Sequence, residues 1–369
     1  MILKNGTVLT EDFQFVRTDL VIEDGIIVSV GETDAPGRDL NGSYVLPGLV
    51  DIHTHGCVGG DHLDGNPEIT AAMRAYMKSR GTTSLLAAIQ TYDTDQMLAA
   101  ANNAVVNGEG GDGAHIRGIY LEGPFFCDKF KGGQHPSYLR NPDSALFEKI
   151  QTGCGGRIKI VSIAPELEDG IDFICSVRDA KVFIGHTDCD YDTACEAIEA
   201  GAAGLTHTFN AMRGLHHRNP NALGAALIDD RMLCECICDG VHIHPAMVKL
   251  LYRQVGRERF IIISDSVCAA GLPDGEYVCG GRPLYVRNGT GYLEDGTISG
   301  SSTDLLQEVR NLVNWGVVSL SDAVYAASAL PAKAAGIYDR VGSISVGKAA
   351  DLLILSANLE LQEVLIGAK

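Results

Sequence analysis

The stretch Leu49-Val50-Asp51-Ile52-His53-Thr54-His55-Gly56 runs an apolar strand into His-x-His and then a glycine. Successive side chains on a strand point to opposite faces, so His53 and His55 share one face. Two imidazoles side by side at a strand end make half of a metal site. Outward from this stretch, apolar segments of strand length recur near 83–89, 116–122, 159–164, 181–186, 203–206, 233–238 and 260–264. Helical stretches separate them, among them 67–80, 94–107, 190–200 and 245–255. Strand–helix alternation implies parallel strands, and eight such units over roughly 250 residues fit an α/β fold of the (β/α)8 TIM-barrel type. A doubly wound open sheet is the alternative.

The other candidate groups fall at the carboxyl ends of those segments. Glu122 ends the third, His186 the fifth, His207 the sixth and Asp265 the eighth. Barrel enzymes place their chemistry on that face. Nitrogen and oxygen donors from separate strands suit Zn²⁺ or Fe²⁺. Asp265 also suits a general base and acid beside water activated by the cation. Singly, each residue has a blander reading: a core or surface histidine, an ion-pair partner for Glu122, a helix cap for Asp265. Their joint placement at strand ends carries the metal reading over these, and the presence of Asp265 argues against a non-catalytic metal-binding scaffold.

Both chain ends read as β-structure. Asp24-Gly25 sits between two apolar runs, a hairpin signal. The last thirty residues contain Gly342-Ser343-Ile344-Ser345-Val346-Gly347 and Asp351-Leu352-Leu353-Ile354-Leu355. Neither end makes a stable sheet alone, so the two are expected to pair. The expected division is a small β-sandwich domain from 1–45 plus 340–369, beside a barrel over 46–339. The segment 271–300 breaks the rhythm with Asp274-Gly275, Asn288-Gly289 and Asp295-Gly296. It reads as a hairpin excursion, either a lid or packing against the β-domain.

The 369 residues carry a formal charge of −18, which argues against nucleic acid and anionic membrane surfaces as partners. A local basic pocket for an anionic small molecule stays open. No apolar run reaches the roughly 18 residues of a membrane span, and the N-terminus lacks signal-peptide features. Eleven cysteines without a Cys-x-x-Cys pair suggest reduced thiols in a cytoplasmic protein. Cys234, Cys236 and Cys238 share a face of one segment, where core packing outweighs a metal cluster. Packing is likewise the reading for Cys57.

Pro47 to Gly56 resembles the opening motif of the amidohydrolase superfamily, and the terminal β-segments are similar to that superfamily's split sandwich. Within it, Leu121-Glu122-Gly123-Pro124-Phe125, Gly185-His186-Thr187, Thr206 to Met212, Asp239-Gly240-Val241-His242 and Ile263-Ser264-Asp265-Ser266 resemble the N-acetylglucosamine-6-phosphate deacetylase family. The resemblance spans essentially the whole chain. It implies hydrolysis of the sugar's acetamide, with water activated at a divalent cation as nucleophile and Asp265 as general base and acid. Deacetylation of the galactosamine epimer and cyclic-amide hydrolysis are the alternatives. The absence of a strand-end lysine suited to a carbamate bridge speaks against the last.

The resemblance also implies roles. Glu122, His186 and His207 hold the main cation. His53 and His55 match a pair that supports a second ion in some members, so one or two ions are allowed, and Glu122 is placed to bridge them. Asn210, the Ala211 N–H and His242 meet the phosphate. Arg218 reaches the neighbouring site of a homodimer. His135 matches a histidine near the acetyl carbonyl, able to donate to the developing oxyanion. His216 and His217 read as solvated loop, His244 as a helix start without a role, and His62 and His115 as surface or structural.

Overall fold

The computed structural model describes residues 1–367; residues 368 and 369, at the end of the expected C-terminal β-segment, lie outside it. Eight strands form one parallel sheet: Leu49–Thr54, Thr82–Gln90, His115–Glu122, Ile158–Ile163, Lys181–Ile184, Ala202–Leu205, Leu233–Cys236 and Phe260–Ile262. Each hydrogen-bonds to the next in chain order. The first and last share no ladder. Instead the Asp265 N–H donates to the His53 carbonyl (2.9 Å) and Ser264 Oγ donates to Asp51 Oδ2 (2.6 Å) across the seam. The result is an almost closed barrel.

Alternation along the strands builds two apolar layers. Leu86, Ala88, Tyr120, Ile160, Phe183, Cys234 and Cys236 fall in one buried cluster. Their neighbours Leu85, Ala87, Ile89, Leu121, Val161, Val182 and Ile184 fall in another with the helices Pro67–Ser79 and Thr94–Asn107. Each Leu, Ile, Val or Phe among them contributes about 1.5–3 kcal/mol on burial. Cys234 and Cys236 are core residues, as expected, and Cys238 lies beyond the strand but equally buried. Asn66 and Asp93 cap the two helices by accepting backbone N–H groups, so the chain turns cleanly from loop to helix. His244 does the same for the helix Pro245–Val255.

Three strands that lead into site residues stop short of the sequence expectation. Those at 181–184, 202–205 and 260–262 end before His186, His207 and Asp265. The reason is local: these residues have φ of 48°, 29° and 45°. A left-handed residue cannot continue a strand, so the chain turns over the barrel mouth at each of them.

The chain ends meet in a single seven-stranded sheet. Leu352–Leu355 pairs antiparallel with Tyr44–Pro47, Leu352 opposite Pro47. Leu3, Val8, Leu20, Ile22, Ile27, Val45, Leu352 and Ile354 form its core. Asp24 and Gly25 turn the hairpin with φ of 48° and 76°, the conformation a tight two-residue turn requires.

The excursion is a three-stranded antiparallel sheet, Gly275–Cys279, Arg282–Arg287 and Thr290–Tyr292. It brings Cys279 back against the segment after the last barrel strand, and a Cys268–Cys279 disulfide joins them, Cα atoms 5.9 Å apart. This corrects the expectation of reduced thiols throughout. His62 and His115 are buried, which selects the structural alternative over the surface one. Burial lowers the His62 pKa to about 3, so its ring is neutral. No helix among the described residues is long and apolar enough to cross a membrane.

Candidate metal centre

His53 and His55 enter the mouth from the first strand, Glu122 from the end of the third, and His186, His207 and Asp265 from the turns just described. All six are buried. Glu122 lies at the centre. Its Oε1 is 3.2 Å from Nε2 of His186, 3.2 Å from Nε2 of His207 and 3.4 Å from Nε2 of His53. Its Oε2 is 3.2 Å from Nε2 of His55, which in turn lies 3.3 Å from Asp265 Oδ1. Two triads result, Glu122 with His186 and His207, and His53 with His55 and Asp265.

These spacings fit a cation. Ligand bonds of about 2.0–2.1 Å in tetrahedral array set donor atoms roughly 3.3 Å apart. The surrounding shell fixes which nitrogen faces inward. His186 donates from Nδ1 to the Phe130 carbonyl (3.0 Å) and stacks on Phe126. His53 Nδ1 faces Glu235 Oε2 (3.2 Å), and its ring stacks on Tyr120 at 4.3 Å. Glu235 also accepts the backbone N–H of His207 (3.1 Å), which fixes the main chain there and not the ring. For His53 and His186 this leaves Nε2 for the centre, the arrangement that orients histidine ligands. Among the described residues, His53 Nε2 is buried without a hydrogen-bond partner.

The electrostatics agree. Burial opposes the Glu122 carboxylate, yet the imidazoles of His55, His186, His207 and His53 hold its pKa well below the ordinary range. Burial likewise opposes the Asp265 carboxylate, and His53 and His55 lower its pKa on balance. Burial disfavours charge on His55, but Glu122 and Asp265 raise it to about 10. Two buried carboxylates thus demand positive charge at this point, whether from protons or a divalent ion.

A cavity of about 450 Å³ opens above the cluster. Its lining includes Asn210, Ala211 and His242, with Lys129, Lys131 and Arg282 as cations. This is the local basic pocket that an acidic chain still permits. His242 Nδ1 lies 2.7 Å from Asp239 Oδ2, and Asp239 Oδ1 accepts the His242 N–H (2.9 Å).

Two expected residues are not brought to the cavity within one chain. Arg218 is exposed, its Nη1 donating to His217 Nε2 (2.8 Å). His135 is absent from the lining, because Pro136 opens a short helical turn, Pro136–Tyr138, whose first residues it caps: Nδ1 accepts from the Ser137 N–H and the ring packs on Tyr138. The preceding residue, Gln134, is buried and lines the cavity instead. Sequence reasoning missed Gln134, Glu235 and Arg282. Glu235 left one signal, a lone charge inside the apolar run Leu233–Cys236.

Residues 44–368 match the amidohydrolase family, and the chain belongs to it. Among its relatives is N-acetylglucosamine-6-phosphate deacetylase of Bacillus subtilis (strain 168), 36% identical over 98% of this chain and 94% of that one. N-acetylgalactosamine-6-phosphate deacetylase of Escherichia coli O157:H7 is 31% identical over 99% and 97%. A Mycobacterium smegmatis N-acetyl-D-glucosamine-6-phosphate deacetylase, an Asp-to-Ala mutant solved with N-acetyl-D-glucosamine-6-phosphate, superposes with a TM-score of 0.93 at 32% identity, over 99% of this chain and 97% of that one.

Proposed function

We propose that this protein hydrolyses the acetamide of N-acetylglucosamine 6-phosphate to glucosamine 6-phosphate and acetate. The observation that carries this is the convergence of Glu122, His186, His207, His53, His55 and Asp265 beneath a cavity with a cationic rim. The Bacillus subtilis and Mycobacterium smegmatis relatives support the choice of sugar.

In this reading Glu122, His186 and His207 hold one divalent cation, Zn²⁺ or Fe²⁺, and His53 and His55 with Asp265 have room for a second. A bound cation supplies Lewis acidity, lowering the pKa of water and polarising a carbonyl. Asp265, ionised and 3.3 Å from His55, takes the proton of the attacking water and returns it to the leaving amine. Glu235 and the Phe130 carbonyl hold the rings of His53 and His186 through that transfer. Asn210, the Ala211 N–H and His242 receive the phosphate, and Lys129, Lys131 and Arg282 draw it in. Arg218, on an exposed loop, completes the phosphate site of a second copy in a homodimer. The terminal β-domain, 1–45 with 340–369, acts as a small sandwich in which the one seven-stranded sheet folds over its own core of Leu3, Val8, Leu20, Val45 and Leu352, flanking the barrel unit 46–339. A sugar-phosphate substrate, which does not cross a bilayer unaided, supports a cytoplasmic site of action.

The Escherichia coli O157:H7 relative favours a second reading, the galactosamine epimer. Acetate release from each sugar phosphate, with and without a chelator, tests both. Faster turnover of the glucosamine compound, abolished by the chelator, is expected. Bound cation with no release from either sugar would overturn the substrate; release untouched by the chelator would overturn the metal.

A further inference from the structure

Gln134 comes from a loop, yet it is 4% exposed and lies against the centre of the cluster. Both ends of its amide are engaged. Oε1 accepts the backbone N–H of Thr91 at 2.8 Å, just beyond the second barrel strand. Nε2 donates to Oε2 of Glu122. Its main chain is fixed as well. The Gln134 N–H donates to the Lys131 carbonyl (3.0 Å), and Arg282, from the excursion, donates through Nη1 to the carbonyls of Gly133 (3.1 Å) and Gln134 (3.2 Å). One residue thus links three parts of the fold: its side chain joins Thr91 to Glu122, and its carbonyl takes Arg282 of the covering sheet.

The consequence lies in how Glu122 divides its oxygens. Oε1 faces His186, His207 and His53, whereas Oε2 faces His55 and Gln134. A carboxylate can rotate about its last torsion, which has broad wells. The amide donor on Oε2, held from behind by Thr91, removes that freedom and keeps Oε1 for the histidine triad. We propose that Gln134 is a positioning residue that orients Glu122 for cation binding. The proposal rests on the reading that Glu122 ligates a cation, and it assigns to Gln134 a place in the shell of partners that orients ligands.

Gln134→Met tests it. Methionine keeps the length and unbranched shape of the side chain and removes both amide contacts. Metal-free protein is titrated with Zn²⁺ against a chelating dye, and its melting is followed without metal. The expected result is a Zn²⁺ affinity about 10- to 100-fold weaker, with kcat recovering as Zn²⁺ is raised and with melting of the metal-free protein little changed. In a Glu122→Asp background, where the carboxylate is withdrawn by one methylene, the same change is expected to cost little more, since residues acting through one contact are not additive. Unchanged Zn²⁺ affinity in Gln134→Met, or full additivity with Glu122→Asp, would overturn the positioning role. Wild-type protein that binds no Zn²⁺ would instead overturn the metal reading beneath it. If Gln134→Met does not fold, Gln134→Asn, one methylene short of both partners, carries the same expectations.

Discussion

The Nε2 atoms of His186 and His207 lie 3.0 Å apart. His186 already donates from Nδ1 to the Phe130 carbonyl, so the neutral ring turns a lone pair toward its neighbour. In the metal reading His207 presents its Nε2 lone pair as well, and two lone pairs at that distance need the ion's positive charge to hold them together. Removal of divalent ions by a strong chelator is therefore expected to abolish turnover and lower Tm by several degrees. An ion present at about a thousand times its Kd stabilises the fold by about 4 kcal/mol. Differential scanning calorimetry with and without added Zn²⁺ checks this; identical melts would contradict it.

Asp265→Asn keeps the shape of the group and removes its basicity. The variant is expected to fold and bind the ion, with kcat down about 10²- to 10⁴-fold. Acetate release at saturating substrate, alongside metal content, measures both. Full turnover in a metal-loaded variant would exclude Asp265 as the base.

Asp239 holds His242 through Nδ1 at 2.7 Å and turns Nε2 toward the cavity. Asp239→Asn is expected to raise KM about tenfold, the loss of one charge-assisted hydrogen bond, with little change in kcat. A fall in kcat at constant KM would place His242 in the chemistry instead of in phosphate binding.

Glu308 is fully buried, and burial with the nearby Asp239 carboxylate raises its pKa well above 4.5. The folded chain then holds a proton that the unfolded chain has lost. Stability from this group is complete below about pH 4.5 and declines as pH rises toward the folded value. Glu308→Gln cannot ionise, so its Tm advantage over the parent is expected to grow between pH 5 and pH 8. Parallel melting profiles across that range would show that the carboxyl is ionised in the fold.

Much of this architecture is readable from the chain itself because strands buried on both faces are continuous apolar runs, and eight of them are present. The convergence of His53, His55, Glu122, His186, His207 and Asp265 is readable because each follows such a run directly. What escapes is local loop geometry. His135 and Gln134 are adjacent, and only the helical turn opened by Pro136 decides which of them faces inward. The Cys268–Cys279 bond escapes for a similar reason: it depends on where a hairpin folds back, which no periodicity records.

His186, His207 and Asp265 each hold a backbone conformation that suits glycine better, at about 1–3 kcal/mol apiece. A glycine at any of the three relaxes the main chain and leaves the centre without that group. At the two histidines the lost ion binding, about 4 kcal/mol, outweighs that relief; at Asp265, outside the main triad, selection for heat resistance alone is expected to drift toward durable but inert descendants, and only a screen that scores turnover in every round will keep it intact.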